Sequence, residues 1–153
     1  MIKALLTIAK TLEPAGVRWA VTASAGLALQ GVDVSPADLD INTDKRGAYE
    51  IAMLFKERVV TPVGYRRSPR YRSHFGELEI EGVKVEIMGN LRVFGGGRWS
   101  PARSPANRKI ARIDVEGVSI PVVPITLLKR TGYLRERIDK GKGPAKKVKE
   151  RRG

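Results

Sequence analysis

The sequence predicts one domain of the α/β (α+β) class, with a mixed β-sheet and helices mainly on one face of that sheet. Its 153 residues are enough for one compact core. Alternating apolar residues flank two Glu-Gly pairs, at Glu81-Gly82 and Glu116-Gly117, a pattern typical of β-hairpins. Apolar residues at helical spacing precede and follow these hairpins, so we expect helices packed against a sheet.

The N-terminal half alternates between helical and strand-like patterns. Apolar residues from position 2 to 12 share one helical face, and Pro14 with Gly16 ends that helix. Residues 17–21 predict a strand that leads into a turn of small residues at 22–26, after which a short helical pattern resumes. Residues 38–42 alternate as a half-buried strand does, and residues 47–58 return to helical spacing.

The C-terminal half is predicted to contain both hairpins and a last helix. Their strands are expected at residues 75–80 and 83–88, and at residues 109–115 and 118–122. The glycines at 95–97 are interpreted as a flexible surface loop that could close over a substrate. Pro124 suits the first turn of a helix reaching Ile138. We assign residues 1–139 to the domain and residues 140–153 to a basic, flexible tail.

The composition excludes several kinds of chemistry. The chain has no cysteine and one histidine, which excludes disulfides and thiolate zinc sites and makes other zinc sites improbable. Any metal must be held by oxygen ligands, which favours Mg²⁺ or Mn²⁺. No apolar run approaches the roughly 18 residues of a membrane span, and the N-terminus lacks a signal-peptide cleavage pattern. We therefore expect a cytoplasmic protein without a membrane partner.

The charge is strongly positive. There are 29 Lys and Arg against 16 Asp and Glu, a net charge of +13, which attracts polyanions such as NTPs and nucleic acid. Much of the excess lies between Lys140 and Arg152, either as a solubilising tail or as an arm for RNA or DNA. The basic stretch from Arg66 to Arg72, with Tyr65 and Tyr71, is either a solvated loop or a second nucleic-acid contact.

Two aspartates carry the first chemical signal. Asp38 and Asp40 are two residues apart on a predicted strand, so their side chains leave the same face about 6 to 7 Å apart. Two carboxylates in this arrangement repel each other unless a cation lies between them, as a Mg²⁺ ion bound to phosphate would. The alternative is an ordinary solvated strand face.

The residues before and after this pair strengthen the signal. Thr22, Ala23 and Ser24 lie where a strand ends and a helix begins, which offers backbone N–H groups and a hydroxyl to a phosphate. Glu86, on a later strand, is a third carboxylate that could be a metal ligand and general base. Its alternative is one more solvated strand carboxylate.

These segments resemble the polymerase-beta type of nucleotidyltransferase, and more narrowly the small prokaryotic minimal and lincosamide-type proteins. The similarity lies in residues 21–24, 27–31, 36–41 and 85–88. It implies a Gly-Ser turn that grips a triphosphate, an Asp-x-Asp pair that binds two Mg²⁺ ions, and a third acidic residue. The glycine that usually precedes the serine is Ala23 here, which would weaken phosphate binding if the position needs a positive φ.

The resulting hypothesis is a Mg²⁺-dependent (or Mn²⁺-dependent) transfer of a nucleoside monophosphate from an NTP, most naturally ATP, to an acceptor that the sequence does not name. Asp38, Asp40 and Glu86 would be the catalytic metal ligands, with Lys129 or Arg137 holding the triphosphate. The alternative is a catalytically faded module that acts as an antitoxin-like or nucleic-acid-binding protein. The oligomeric state stays open.

Overall fold

The computed structural model describes residues 1–130, with side chains up to Leu128. The predicted continuation of the last helix to Ile138 and the tail at 140–153 lie outside the described residues. The described elements follow one another as α1 (Ile2–Leu12), β1 (Trp19–Thr22), α2 (Ala23–Leu29), β2 (Leu39–Thr43), α3 (Lys45–Leu54), a 3-10 turn (Lys56–Arg58), β3 (Val59–Arg67), β4 (Tyr71–Ile80), β5 (Val83–Gly95), β6 (Arg98–Trp99), β7 (Ala111–Val115), β8 (Val118–Val122) and α4 (Ile125–Arg130).

The strands form one mixed sheet in the order β3-β4-β5-β2-β1-β8-β7, with β6 paired to β5. The pairs β2–β5 and β1–β8 are parallel, and the other pairs are antiparallel. Both predicted hairpins are present, as β4–β5 and β7–β8. The predicted fold class, a mixed sheet combined with α-helices, is confirmed.

The core is built from the apolar positions that the spacing predicts. Leu5, Ile8 and Leu12 of α1 are buried in one cluster with Ile41 and Ile87 of the central strands. Full burial of such a side chain stabilises the fold by about 1.5–3 kcal/mol. No helix among residues 1–130 is long and apolar enough to cross a membrane.

The basic stretch from Arg66 to Arg72 lies mostly in strands rather than in a loop. β3 continues to Arg67 and β4 starts at Tyr71, so only residues 68–70 form the turn. The sequence pattern hides β3 because Pro62 and Gly64 interrupt it. Proline is tolerated there because β3 is an edge strand, where an N–H can be missing without breaking a ladder on both sides.

A β-bulge divides the long strand β5. Arg72 is paired with Arg92 and His74 with Gly89, so β5 has one more residue than β4 over this interval. Asn90 has a φ of 53°, in the left-handed region, which identifies it as the inserted residue. Further along, Gly96 and Gly97, with φ of 58° and 76°, make the tight turn from β5 to β6.

Candidate functional site

Four polar residues form a row across the centre of the sheet. Thr22 of β1 is the Cα partner of Asp40 in β2, Asp40 is the partner of Glu86 in β5, and Glu86 is the partner of Glu77 in β4. Directly paired residues share one face of a sheet, with Cβ atoms about 4.5–5.5 Å apart. The structure therefore brings Asp40 and Glu86 together, and it adds Glu77, a carboxylate that the sequence analysis did not select.

Among the acids of this row, Asp40 has a pKa far from its ordinary value. Its pKa rises from 3.8 to about 7, first because it is buried, then because the Glu86 carboxylate repels its charge and accepts a hydrogen bond from its protonated form. Asp38, one residue before β2, raises this pKa further by its charge, whereas Lys84 lowers it. The structure thus pairs Asp40 with Glu86 and places the charge of Asp38 near enough to act on Asp40, while the shared role of the three as metal ligands stays a prediction.

Lys84 neutralises part of the negative charge. Its Nζ lies 3.1 Å from Glu86 Oε1 and 3.8 Å from Glu77 Oε1. The hydrogen bond and charge of Glu86, followed by the charge of Glu77, raise the pKa of Lys84. One lysine cannot balance the four carboxylates Asp38, Asp40, Glu77 and Glu86 around it.

The carboxylates fit a divalent cation only in part. Within residues 1–130, no group of three or more Asp, Glu, His or Cys side chains is arranged as metal ligands, so Asp38, Asp40 and Glu86 are not a preformed three-ligand site. Mg²⁺ is commonly held by one or two carboxylates together with substrate phosphates and water. The Asp40–Glu86 pair fits this mode, because a cation beside it would remove the repulsion that raises the Asp40 pKa.

The turn before α2 contains Ala23, which stands where the resembled nucleotidyltransferases usually have a glycine. Thr22 is the residue before α2, and Ala23 has a φ of 55°, in the left-handed region that favours glycine. An alanine in this conformation costs roughly 1 kcal/mol relative to glycine. Ser24 follows in the first turn of α2 and is buried.

A cavity of ≈ 230 Å³ opens on this face between the turn and the carboxylates. It combines negative, positive and apolar walls. Its lining consists of Thr22, Ala23, Asp40, Tyr71, Glu86, Met88, Leu91, Val93, Arg103, Arg108 and Leu128.

Two arginines of the loop between β6 and β7 reach this cavity. Burial lowers the pKa of Arg103 and of Arg108, and the charge of Arg103 lowers the pKa of Arg108 further. Neither guanidinium forms an ion pair with a carboxylate within the described part of the chain. Two half-buried cations therefore lie close together without an ion pair to any carboxylate of residues 1–128, an arrangement that a phosphate group would stabilise.

Asn42 fixes this loop to the sheet. It lies two residues after Asp40 and is 1% exposed. Its Nδ2 donates to the Arg103 main-chain oxygen at 3.0 Å, and its Oδ1 accepts from Arg108 Nη1 at 3.4 Å. The strand that carries Asp40 thereby also positions both arginines.

The sequence pattern of the aminoglycoside-2''-adenylyltransferase family matches residues 4–139, which is most of the chain. The chain belongs to this family. It is therefore a member of the nucleotidyltransferase superfamily, as the resemblance of its segments implied. A search of curated proteins found no match.

Three solved structures resemble this chain. A Thermotoga maritima protein provisionally assigned as a nucleotidyltransferase is 36% identical, with a TM-score of 0.81 over 92% of this chain and 88% of that one. The crystal structure of ANT(2'')-Ia with adenylyl-2''-tobramycin has a TM-score of 0.60 at 10% identity, covering 94% of this chain and 80% of that one. A solution structure of ANT(2'')-Ia gives 0.56 at 11%, covering 94% and 76%. These two likenesses concern the fold.

The described part of the candidate site adds two cations that the sequence analysis did not select. Lys129 belongs to α4, but its side chain lies outside the described part, and so does Arg137. Among the residues that the structure describes, Arg103 and Arg108 are the cations that line the cavity, and the roles of Lys129 and Arg137 stay predictions. The sequence contained a weak signal for Arg103 and Arg108, because both follow the Gly-rich turn in a stretch that has no acidic residue.

Proposed function

We propose that this chain transfers a nucleoside monophosphate from an NTP, most simply AMP from ATP, to an acceptor hydroxyl in a Mg²⁺-dependent or Mn²⁺-dependent reaction. The supporting observation is that the Asp40–Glu86 pair lines the same cavity as the Ala23 turn and as Arg103 and Arg108, two arginines without an ion pair to any described carboxylate. Carboxylates for a cation and guanidiniums for phosphate oxygens are the two groups that a nucleotide–metal complex needs.

Each side chain has a proposed role. Asp40 and Glu86, with Asp38 beside them, would hold the divalent cation, which neutralises charge on the triphosphate when bound. Arg103 and Arg108 would bind phosphate oxygens, together with the main chain from Thr22 to Ser24. The site is therefore proposed to align the α-phosphate mainly by positioning and charge neutralisation.

In the proposed reaction the acceptor oxygen attacks the α-phosphorus in line with the bond to the β-phosphate. A new phosphorus–oxygen bond forms, the α–β bridging bond breaks, and pyrophosphate leaves. The proton of the acceptor hydroxyl goes to Glu86, which is proposed as the general base. The alternative of a catalytically faded antitoxin-like or nucleic-acid-binding module has no support from the related proteins, although Ala23 lies in the conformation that glycine prefers.

Calorimetric titration with ATP tests the proposal, with and without Mg²⁺. We expect binding that needs the cation, weakened at least about tenfold in Glu86→Gln because a metal ligand is lost. Glu57→Gln, an exposed carboxylate before β3, is the matched control and should bind like the parent protein.

Transfer itself is measured with ATP labelled on the α-phosphate or on the γ-phosphate. The α label should move to an acceptor, whereas the γ label should appear in pyrophosphate. Absence of ATP binding in every cation condition would refute the proposal, and so would transfer of the γ label to the acceptor.

A further inference from the structure

Three arginines form a cross-strand row at the end of the sheet where the chain turns from β3 into β4. Arg67 of β3 is the Cα partner of Arg72 in β4, and Arg72 is the partner of Arg92 in β5. They therefore share one face, with neighbouring strands about 4.7–4.9 Å apart. Like charges directly opposite each other destabilise a sheet, so this row calls for an explanation outside folding stability.

The row lies on the face opposite the cavity. Tyr71 and Val93 are the sequence neighbours of Arg72 and Arg92, and both line the cavity. Because successive residues of a strand point to opposite faces, the arginines point away from the cavity. The proposed nucleotide site and the arginine row are thus separate surfaces of one sheet.

Aromatic rings lie among these arginines on the same face. Tyr65 and Phe94 are each two residues from an arginine of the row, and they are 55% and 41% exposed. Trp99 contacts Phe94, with ring centroids 5.4 Å apart, and the Arg72 guanidinium lies 4.0 Å from the Trp99 centroid. We name Tyr65, Arg67, Arg72, Arg92, Phe94 and Trp99 the arginine–aromatic face.

Among the described residues, the arginine row has no ion-pair partner. Residues 58–76 and 89–113 include neither Asp nor Glu. Within residues 1–130, none of Arg67, Arg72 and Arg92 forms an ion pair. Lys45, at the start of α3, lies near enough to lower the pKa of His74, which is the strand neighbour of this row, so it adds positive charge.

We propose that the arginine–aromatic face binds single-stranded nucleic acid. Guanidiniums in a row neutralise successive phosphates, and exposed rings stack on unpaired bases, which is how other sheet surfaces bind single strands. The rings favour a nucleic acid over an acidic protein, because an acidic peptide needs the cations but offers no bases to stack. They favour single strands over a duplex, whose bases are already stacked.

The test measures the fluorescence anisotropy of a labelled oligo(U) RNA of roughly 16 nucleotides, titrated with full-length protein at several salt concentrations. The double variant Arg67→Glu/Arg92→Glu should bind at least about tenfold more weakly. Two lost phosphate contacts should reduce the slope of log affinity against log salt by about 1.4. Arg58→Glu, exposed just before β3 at the other end of the sheet, is the control for a charge reversal away from the arginine–aromatic face and should change affinity less than about twofold.

A second variant separates stacking from charge. Phe94→Ala should weaken binding by roughly five- to tenfold without changing the salt slope, because it removes a ring and no charge. The melting temperature of each variant is measured in parallel, and the charge-reversed protein should melt no lower than the parent, since its arginine row no longer repels itself.

Three results would overturn the proposal. The first is an equal loss of affinity in Arg58→Glu and in the double variant. The second is that a duplex of the same length binds as tightly as the single strand. The third is that polyglutamate competes as strongly as unlabelled RNA. Asp40→Asn should bind the RNA like the parent protein. Failure of the arginine–aromatic face can therefore be told apart from failure of the proposed nucleotide site.

Discussion

Replacing Asp40 with asparagine is expected to stabilise the ligand-free protein in neutral and mildly alkaline solution. The pKa of Asp40 is 3.8 in its ordinary state and about 7 in the fold. Since the folded pKa is the higher one, the stability that the neutral form contributes is present at low pH and is lost as the pH rises toward 7 and above. Asparagine keeps the shape of the neutral acid and cannot ionise.

The size of the effect follows from the shift. Each unit of pKa corresponds to 1.36 kcal/mol, so the full shift corresponds to about 4 kcal/mol, of which about 2 to 3 kcal/mol falls between about pH 5 and pH 8. Lys84 offsets some of the repulsion, and its charge is already included in the Asp40 pKa. We therefore expect the free energy of unfolding of the parent protein to fall by about 2 to 3 kcal/mol over this range, and that of Asp40→Asn to change much less.

Urea unfolding, followed through the fluorescence of the buried Trp19, measures this difference at each pH. His74 has the opposite sign, because burial and Lys45 lower its pKa in the fold, so its contribution is lost as the pH falls below 6.5. The comparison is therefore repeated in a His74→Gln background. Glu57→Gln should keep the slope of the parent. If the free energy of unfolding of Asp40→Asn fell as steeply with pH as that of the parent, ionisation of Asp40 would not be the cause of the loss.

Three further changes have expected outcomes of their own. Ala23→Gly should raise the free energy of unfolding by about 1 kcal/mol and tighten ATP binding, measured by urea unfolding and calorimetry, because glycine adopts the observed φ of 55° without strain. Gln30→Ala should lower the melting temperature, costing about 1–3 kcal/mol, since its amide bonds the main chain at Gly26, Val123 and Ile125. Gly89→Ala should be more damaging, with a cost above about 3 kcal/mol in urea, because a Cβ there would lie 2.7 Å from the Asp44 main-chain oxygen.

The sequence predicted the acidic half of the candidate site and most of the elements that carry it. Asp38 and Asp40 are recognisable because their spacing matches the period of a strand. Glu86 follows from the β4–β5 hairpin, whose Glu-Gly turn fixes the register of its strands. The pairing of β5 with β2, which makes Asp40 and Glu86 neighbours, joins residues far apart in the chain and leaves no local pattern.

The cationic half could not be predicted for a physical reason. Arg103 and Arg108 lie in an irregular loop, which has no period from which the direction of a side chain can be read. Their position depends on the hydrogen bonds that Asn42 makes, which are tertiary contacts. Glu77 was missed for a related reason, since a strand carboxylate becomes part of a site only through the residue paired with it.

The bulge at Asn90 changes which residues of β5 face the cavity. Before it, the even-numbered Glu86 faces the cavity, and after it the odd-numbered Val93 does. If β5 kept all its residues but paired with β4 without the bulge, strict alternation from Glu86 would turn Val93 away and bring Arg92 to the cavity. One inserted residue thus lets a single strand carry a carboxylate for one surface and an arginine for the other.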